Sequence, residues 1–136
     1  MSLTYLLDTN IVSYYLRRTF PELERRLNDV LASQKVAISV LTRAELRCGQ
    51  AGMTLEDKRR GLIDRFLPRL PNLPWTEAAA DHYGDIKATH RRMGRLIGEI
   101  DTQIAAHAFT EGLTLVTHNT RHFELVSHLK LEDWTA

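Results

Sequence analysis

The chain has 136 residues, 43% of them hydrophobic and 26% charged, which fits one folded domain with its own core and excludes disordered and fibrous classes. Eighteen basic against seventeen acidic residues leave a net charge of +1 with histidine neutral, so no uniformly basic coat is present, although clustered acids can mask a basic surface in such a sum. No apolar run approaches the ~20 residues of a membrane span, the N-terminus lacks a secretory pattern, and the single cysteine, Cys48, rules out an internal disulfide; a cytoplasmic protein with no membrane association is expected.

Residues 3–7, Leu-Thr-Tyr-Leu-Leu, form a short apolar run that stops at Asp8, as in a strand buried on both faces. Residues 10–17 read as a turn or two of helix. Pro21 starts the next helix, with Glu22 and Glu24 near its positive end and Leu23, Leu27, Val30 and Leu31 at helical spacing. Val36–Ser39 is a second short strand, and a helix from about Val40 ends near Gly49 or Gly52. Residues 54–67 look helical, with Leu55, Leu62, Ile63, Phe66 and Leu67 as their apolar set. Pro68, Pro71 and Pro74 then break the chain around a short strand at 72–75. Thr76 caps a long helix over 76–93, and a further helix over 101–111 stops at Gly112. Residues 113–117 are the clearest strand, followed by a loop, a helical turn and a last strand near 129–132. Strands alternating with helices predict an α/β domain with a mostly parallel sheet. In such sheets ligands bind beyond the carboxyl ends of the strands.

Polar residues at those ends therefore carry the functional reading. Asp8 follows the first strand directly, a place where Asp also serves as a helix cap. Glu45 falls beside the face formed by Leu41, Ala44 and Cys48. A carboxylate at the edge of an apolar stripe needs a partner, either a cation or a neighbour such as Arg43 or Arg47. Asp101 begins its helix within the stripe of Ile104, Ala105 and Ala108, and Asn119 follows the strand at 113–117. Carboxylates brought close repel one another unless a cation offsets them. Oxygen donors suit Mg²⁺ or Mn²⁺ over zinc. The six histidines show no zinc motif, His118 and His122 being the one pair at helical spacing. Cys48 reads as a small core residue.

The same residues carry a family likeness. Tyr5–Ile11 (YLLDTNI), Ser39–Leu46 (SVLTRAEL), Ile97–Ala108 (IGEIDTQIAAHA) and Leu115–Phe123 (LVTHNTRHF) occur in order, and Lys130–Trp134 (KLEDW) closes the pattern. With these segments the chain resembles the PIN-domain ribonucleases and, within them, the VapC toxins of bacterial toxin–antitoxin pairs. The resemblance implies a single PIN domain over residues 1–136, with a central parallel five-stranded sheet flanked by helices. It implies metal-dependent endonucleolytic cleavage of RNA, with a tRNA anticodon loop as the favoured substrate class. It also implies a homodimer and a VapB-type antitoxin whose C-terminal segment covers the site. Asp8, Glu45 and Asp101 carry over as the acidic, metal-holding cluster. Many PIN domains have a further Asp where this chain has Asn119, which keeps hydrogen bonding and loses the charge.

The expected mechanism uses Mg²⁺ or Mn²⁺ held by Asp8, Glu45 and Asp101 for in-line attack that leaves a 5′-phosphate and a 3′-hydroxyl. Thr9, Asn10 and Ser39 are expected around the acids, Thr117 and Asn119 at the water or phosphate, and Glu99 near Asp101. Among the basic groups, Lys87, Arg91, Arg92 and Arg95 are expected to hold the RNA backbone. Two other readings compete. A phosphotransfer or receiver domain built on Asp8 would want a second acid where Asn10 stands or an acidic pair near the first strand, and neither is present. A non-catalytic PIN-like module that binds RNA or a partner protein is favoured by Asn119 alone.

Overall fold

A computed structural model describes residues 2–136. Five short strands form one sheet: β1 (Tyr5–Leu7), β2 (Val36–Ser39), β3 (Asn72–Leu73), β4 (Thr114–Val116) and β5 (Leu131–Glu132). Their order is β3-β2-β1-β4-β5 and every neighbouring pair is parallel. The helices are α1 (Thr9–Leu16), α2 (Pro21–Ala32), α3 (Val40–Ala51), α4 (Lys58–Phe66), α5 (Glu77–Met93), α6 (Glu99–Thr110) and the single turn α7 (Thr120–Phe123), with a 3₁₀ turn at Leu67–Arg69.

Side chains alternate across a strand, so consecutive residues feed opposite faces. Leu7, Val36, Ile38 and Val116 pack with Ile11, Leu23, Leu27, Leu46, Ile63, Phe66 and Trp134 on one face. Leu6, Ala37 and Leu115 pack with Ile97, Ile104, Ala105, Ala108 and Phe123 on the other. This double burial is why the strands read as continuous apolar runs. The chain leaves β1 toward β2 on one side, while β4 joins β1 on the other. The sheet thus reverses direction of build beside β1, and a crevice opens there at the carboxyl ends.

The caps follow the sequence. Asp8 Oδ1 accepts from the Ile11 N–H at the start of α1, Ser39 from Leu41 at α3, and Thr76 from Ala79 at α5. Pro21 stands at the first position of α2. Three expectations need correction. The helix predicted over 54–67 starts only at Lys58, because Asp57 caps it by accepting from Arg59, and this leaves Leu55 82% exposed. The helix predicted from 101 begins at Glu99, so Asp101 lies inside its first turn and is not its cap. In α3 the buried positions are Thr42, Leu46 and Gln50, whereas Ala44 and Cys48 face outward. The stripe read as Leu41, Ala44 and Cys48 was rotated, and Cys48 is not a core residue.

Candidate active site

Three elements deliver the acids to the crevice. Asp8 stands between β1 and α1, Glu45 in the second turn of α3, and Asp101 in the first turn of α6. Together with Thr9, Asn10, Gly98, Glu99 and Ile100 they line one open cleft of about 330 Å³. A larger cleft of about 570 Å³ lies around Leu3, Leu31 and Pro71, so the acid cluster, and not size, marks this one.

Asp8 is buried. Burial raises its pKa, with Asp101 and Glu45 adding repulsion, while the Thr117 hydroxyl and the Ile11 N–H oppose the rise. Glu45 is half-buried and accepts a hydrogen bond from the Thr9 hydroxyl at 2.5 Å. Thr9 has only one hydroxyl proton, so the Thr42 hydroxyl at 3.0 Å must donate to Thr9 in turn. The two arginines that could have neutralised Glu45 point elsewhere: Arg43 binds Asn72, and Arg47 binds Gln50 and Asp64. Asp101 Oδ2 lies 3.0 Å from His122 Nε2. Among the described residues, no lysine or arginine forms an ion pair with any of the three acids.

The donor set is made of oxygen, carries an uncompensated charge and opens to solvent, which fits a hard divalent cation. The Ile11 N–H, the Thr9 hydroxyl and His122 engage one oxygen of Asp8, Glu45 and Asp101 respectively, so the other oxygen of each can turn to a cation. Among the described residues, no three carboxylate, histidine or cysteine side chains close into a ready-made cage. A cation would have to draw these side chains together, and its charge would offset the repulsion that Asp8 meets from Asp101 and Glu45.

The other expected residues divide. Thr9, Asn10 and Glu99 line the cleft, and Thr117 supports Asp8. Ser39 does not join them: its Oγ accepts from Leu41 and meets His107 Nδ1 at 2.8 Å in a buried contact between β2 and α6. Asn119 is exposed at the start of α7, its side chain makes no capping bond, and it is not among the cleft residues. Lys87 is bound to Glu99 at 2.6 Å, so its charge is already matched. Arg91, Arg92 and Arg95 are exposed where α5 ends and the chain turns toward Gly98. Thr42 and His122 were missed. His122 sits inside α7, three residues past Asn119, and its four-residue spacing from His118 suggests only a zinc pattern, which the described residues do not form.

The comparisons agree with this architecture. The PIN domain family profile matches residues 5–129. Over 132 residues the chain is 42% identical to Ribonuclease VapC2 of Haemophilus influenzae, covering 97% of this chain and 98% of that protein. It is 38% identical to the tRNA(fMet)-specific endonuclease VapC of Shigella flexneri, covering 98% and 99%. The crystal structure of DNA-bound VapBC from Salmonella typhimurium superposes with a TM-score of 0.89 at 32% identity, covering 97% and 98%. No described helix is long and apolar enough to cross a membrane. The chain belongs to the PIN-domain family and, within it, to the VapC ribonucleases.

Proposed function

We propose that this protein is a Mg²⁺- or Mn²⁺-dependent endoribonuclease, the toxin of a toxin–antitoxin pair, acting in the cytoplasm on folded RNA. The observation that carries the reading is the convergence of Asp8, Glu45 and Asp101 on one cleft without a lysine or arginine to neutralise them. A bound divalent cation would supply Lewis acidity, activating water and drawing charge from the scissile phosphate.

The chain's own residues prepare the cleft. Asp8 Oδ1 accepts from the Ile11 N–H in the first turn of α1, so its carboxylate holds one direction. Thr42 and Thr9 form a relay of hydroxyls that aims Glu45. Asp101 projects from the positive end of α6, where the helix dipole favours a carboxylate and an approaching phosphate alike. Asn10 lines the same cleft and offers an amide to substrate. Arg91, Arg92 and Arg95 supply the positive surface for the RNA backbone.

The substrate class follows the relatives. The Shigella protein is named a tRNA(fMet)-specific endonuclease, and 38% identity over nearly the whole chain makes a tRNA anticodon loop our proposed target, since loops expose unstacked bases. The Salmonella relative was solved as VapBC, and a VapB-type antitoxin is the proposed partner, with a homodimer as the assembled form. The decisive experiment is incubation of purified protein with total tRNA, with and without EDTA, followed by mapping of new 5′ ends. Metal-dependent cuts that vanish in Asp101→Asn are expected. Cleavage that survives full chelation would sink the metal role, and RNA binding without cleavage under any ion would favour a non-catalytic module, the reading that Asn119 in place of a further acid supports.

A further inference from the structure

Among the described residues, His122 is the one imidazole in contact with an acid of the cleft. Its Nε2 lies 2.7 Å from the Ile97 carbonyl oxygen and 3.0 Å from Asp101 Oδ2. A carbonyl and a carboxylate are both acceptors, so the two contacts can be satisfied together only when Nε2 carries the proton and shares it. The ring is held edge-on to Phe123, itself buried in the core beneath α6. His122 is therefore anchored from below and reaches up to two points on either side of one turn.

That turn needs an anchor. Gly98 precedes α6 with φ of 100°, a backbone region closed to other residues, and offers no side chain to cap the helix. Residues 95–98, which lead into the helix, lie in no helix or strand. Locally, Thr102 ties itself to the Gly98 carbonyl through its N–H and its hydroxyl. Nothing in these bonds fixes the Asp101 carboxylate itself. His122 does so from 21 residues away, past β4.

We infer that His122 is a positioning residue of the cleft: its Nε2–H fixes Asp101 Oδ2 and the Ile97 carbonyl, leaving Asp101 Oδ1 directed at a divalent cation. The inference rests on the proposed metal-dependent reading. Groups that orient a ligating carboxylate in this way change metal affinity by about 10- to 100-fold when removed.

The test is calorimetric titration of Mn²⁺ into the full chain, freed of metal, as wild type, His122→Ala and His122→Gln. Glutamine places an amide N–H near the position of Nε2. We expect His122→Ala to weaken Mn²⁺ binding about tenfold or more, and His122→Gln to recover it to within about threefold. Binding in His122→Ala equal to wild type would overturn the assignment, as would a glutamine variant no better than alanine. Nitrogen-15 spectra of the wild-type histidines at a pH where they are neutral give a second readout, independent of variant folding. The Nε2–H tautomer is expected for His122, and the Nδ1–H tautomer would refute the shared bond. A wild-type protein that binds no Mn²⁺ at all fails in a different way, since that result removes the metal-dependent reading itself.

Discussion

Replacing Asp8 by asparagine separates what this carboxylate does for the fold from what its charge costs. The amide keeps an oxygen for the Ile11 N–H, and Asn caps helices about as well as Asp. The Thr117 hydroxyl, whose influence favours the ionised carboxylate, can accept from the new NH₂ group. What disappears is a negative charge on a residue only 6% exposed that faces Glu45 and Asp101. Relief of that burial and repulsion is worth on the order of 1 kcal/mol without metal, or about 3–4 °C in Tm for a domain of this length. The pH dependence has a definite sign. Burial holds the folded pKa of Asp8 above its ordinary value of 3.8. Between those two values the native state binds more protons than the unfolded chain, so stability falls as pH rises through that window. The advantage of Asp8→Asn is then near zero below a pH of about 4 and complete once the folded carboxyl has ionised. Circular-dichroism melts across a pH series in excess EDTA measure it. Added Mn²⁺ should raise the wild-type midpoint by mass action and leave the variant nearly unmoved. A variant less stable than wild type at neutral pH in EDTA, or a gain that does not change with pH, would refute the reasoning.

Glu45→Gln and Asp101→Asn are each expected to lower RNA cleavage at least about 100-fold with unchanged far-ultraviolet spectra, and a gel assay on purified tRNA measures this. Thr9→Val removes the donor to Glu45 and the acceptor for Thr42; initial rates should fall about tenfold while stability changes by about 1 kcal/mol in urea melts. For each of Arg91, Arg92 and Arg95 changed to alanine, the slope of log affinity against log salt for inactive protein on RNA should shrink by about 0.7–0.9 where that residue meets a phosphate. Lys87→Ala should leave the slope almost unchanged, because Glu99 already matches its charge. Trp134 is fully buried, edge-on to Tyr5 with Arg26 over its ring, so Trp134→Ala should cost about 3–5 kcal/mol and be visible as an early urea transition.

What the sequence determined by itself was local. The doubly buried strands, the caps at Asp8 and Thr76, the start at Pro21 and the α/β alternation all follow from side-chain period and backbone preference within a few residues. The acids at 8, 45 and 101 could be singled out because each sits at a strand end or on a helix face where a bare carboxylate is out of place. Their meeting was decided by the tertiary structure, since only the strand order β3-β2-β1-β4-β5 brings α1, α3 and α6 to one crevice. Helix rotation was likewise beyond sequence reach. A shift of one position on α3 turned Cys48 and Ala44 outward, because Leu46 packs with Ile63 and Phe66 while Gln50 donates to the Arg60 carbonyl and Asp64. Ser39 and Asn119 read as site residues from their places at strand ends and from the family likeness, yet Ser39 is taken by His107 and Asn119 turns to solvent. His122 reaches Asp101 because α7 packs its Phe123 under α6. Such contacts join residues dozens of positions apart, and their geometry is fixed by how layers pack, a property that no local pattern encodes.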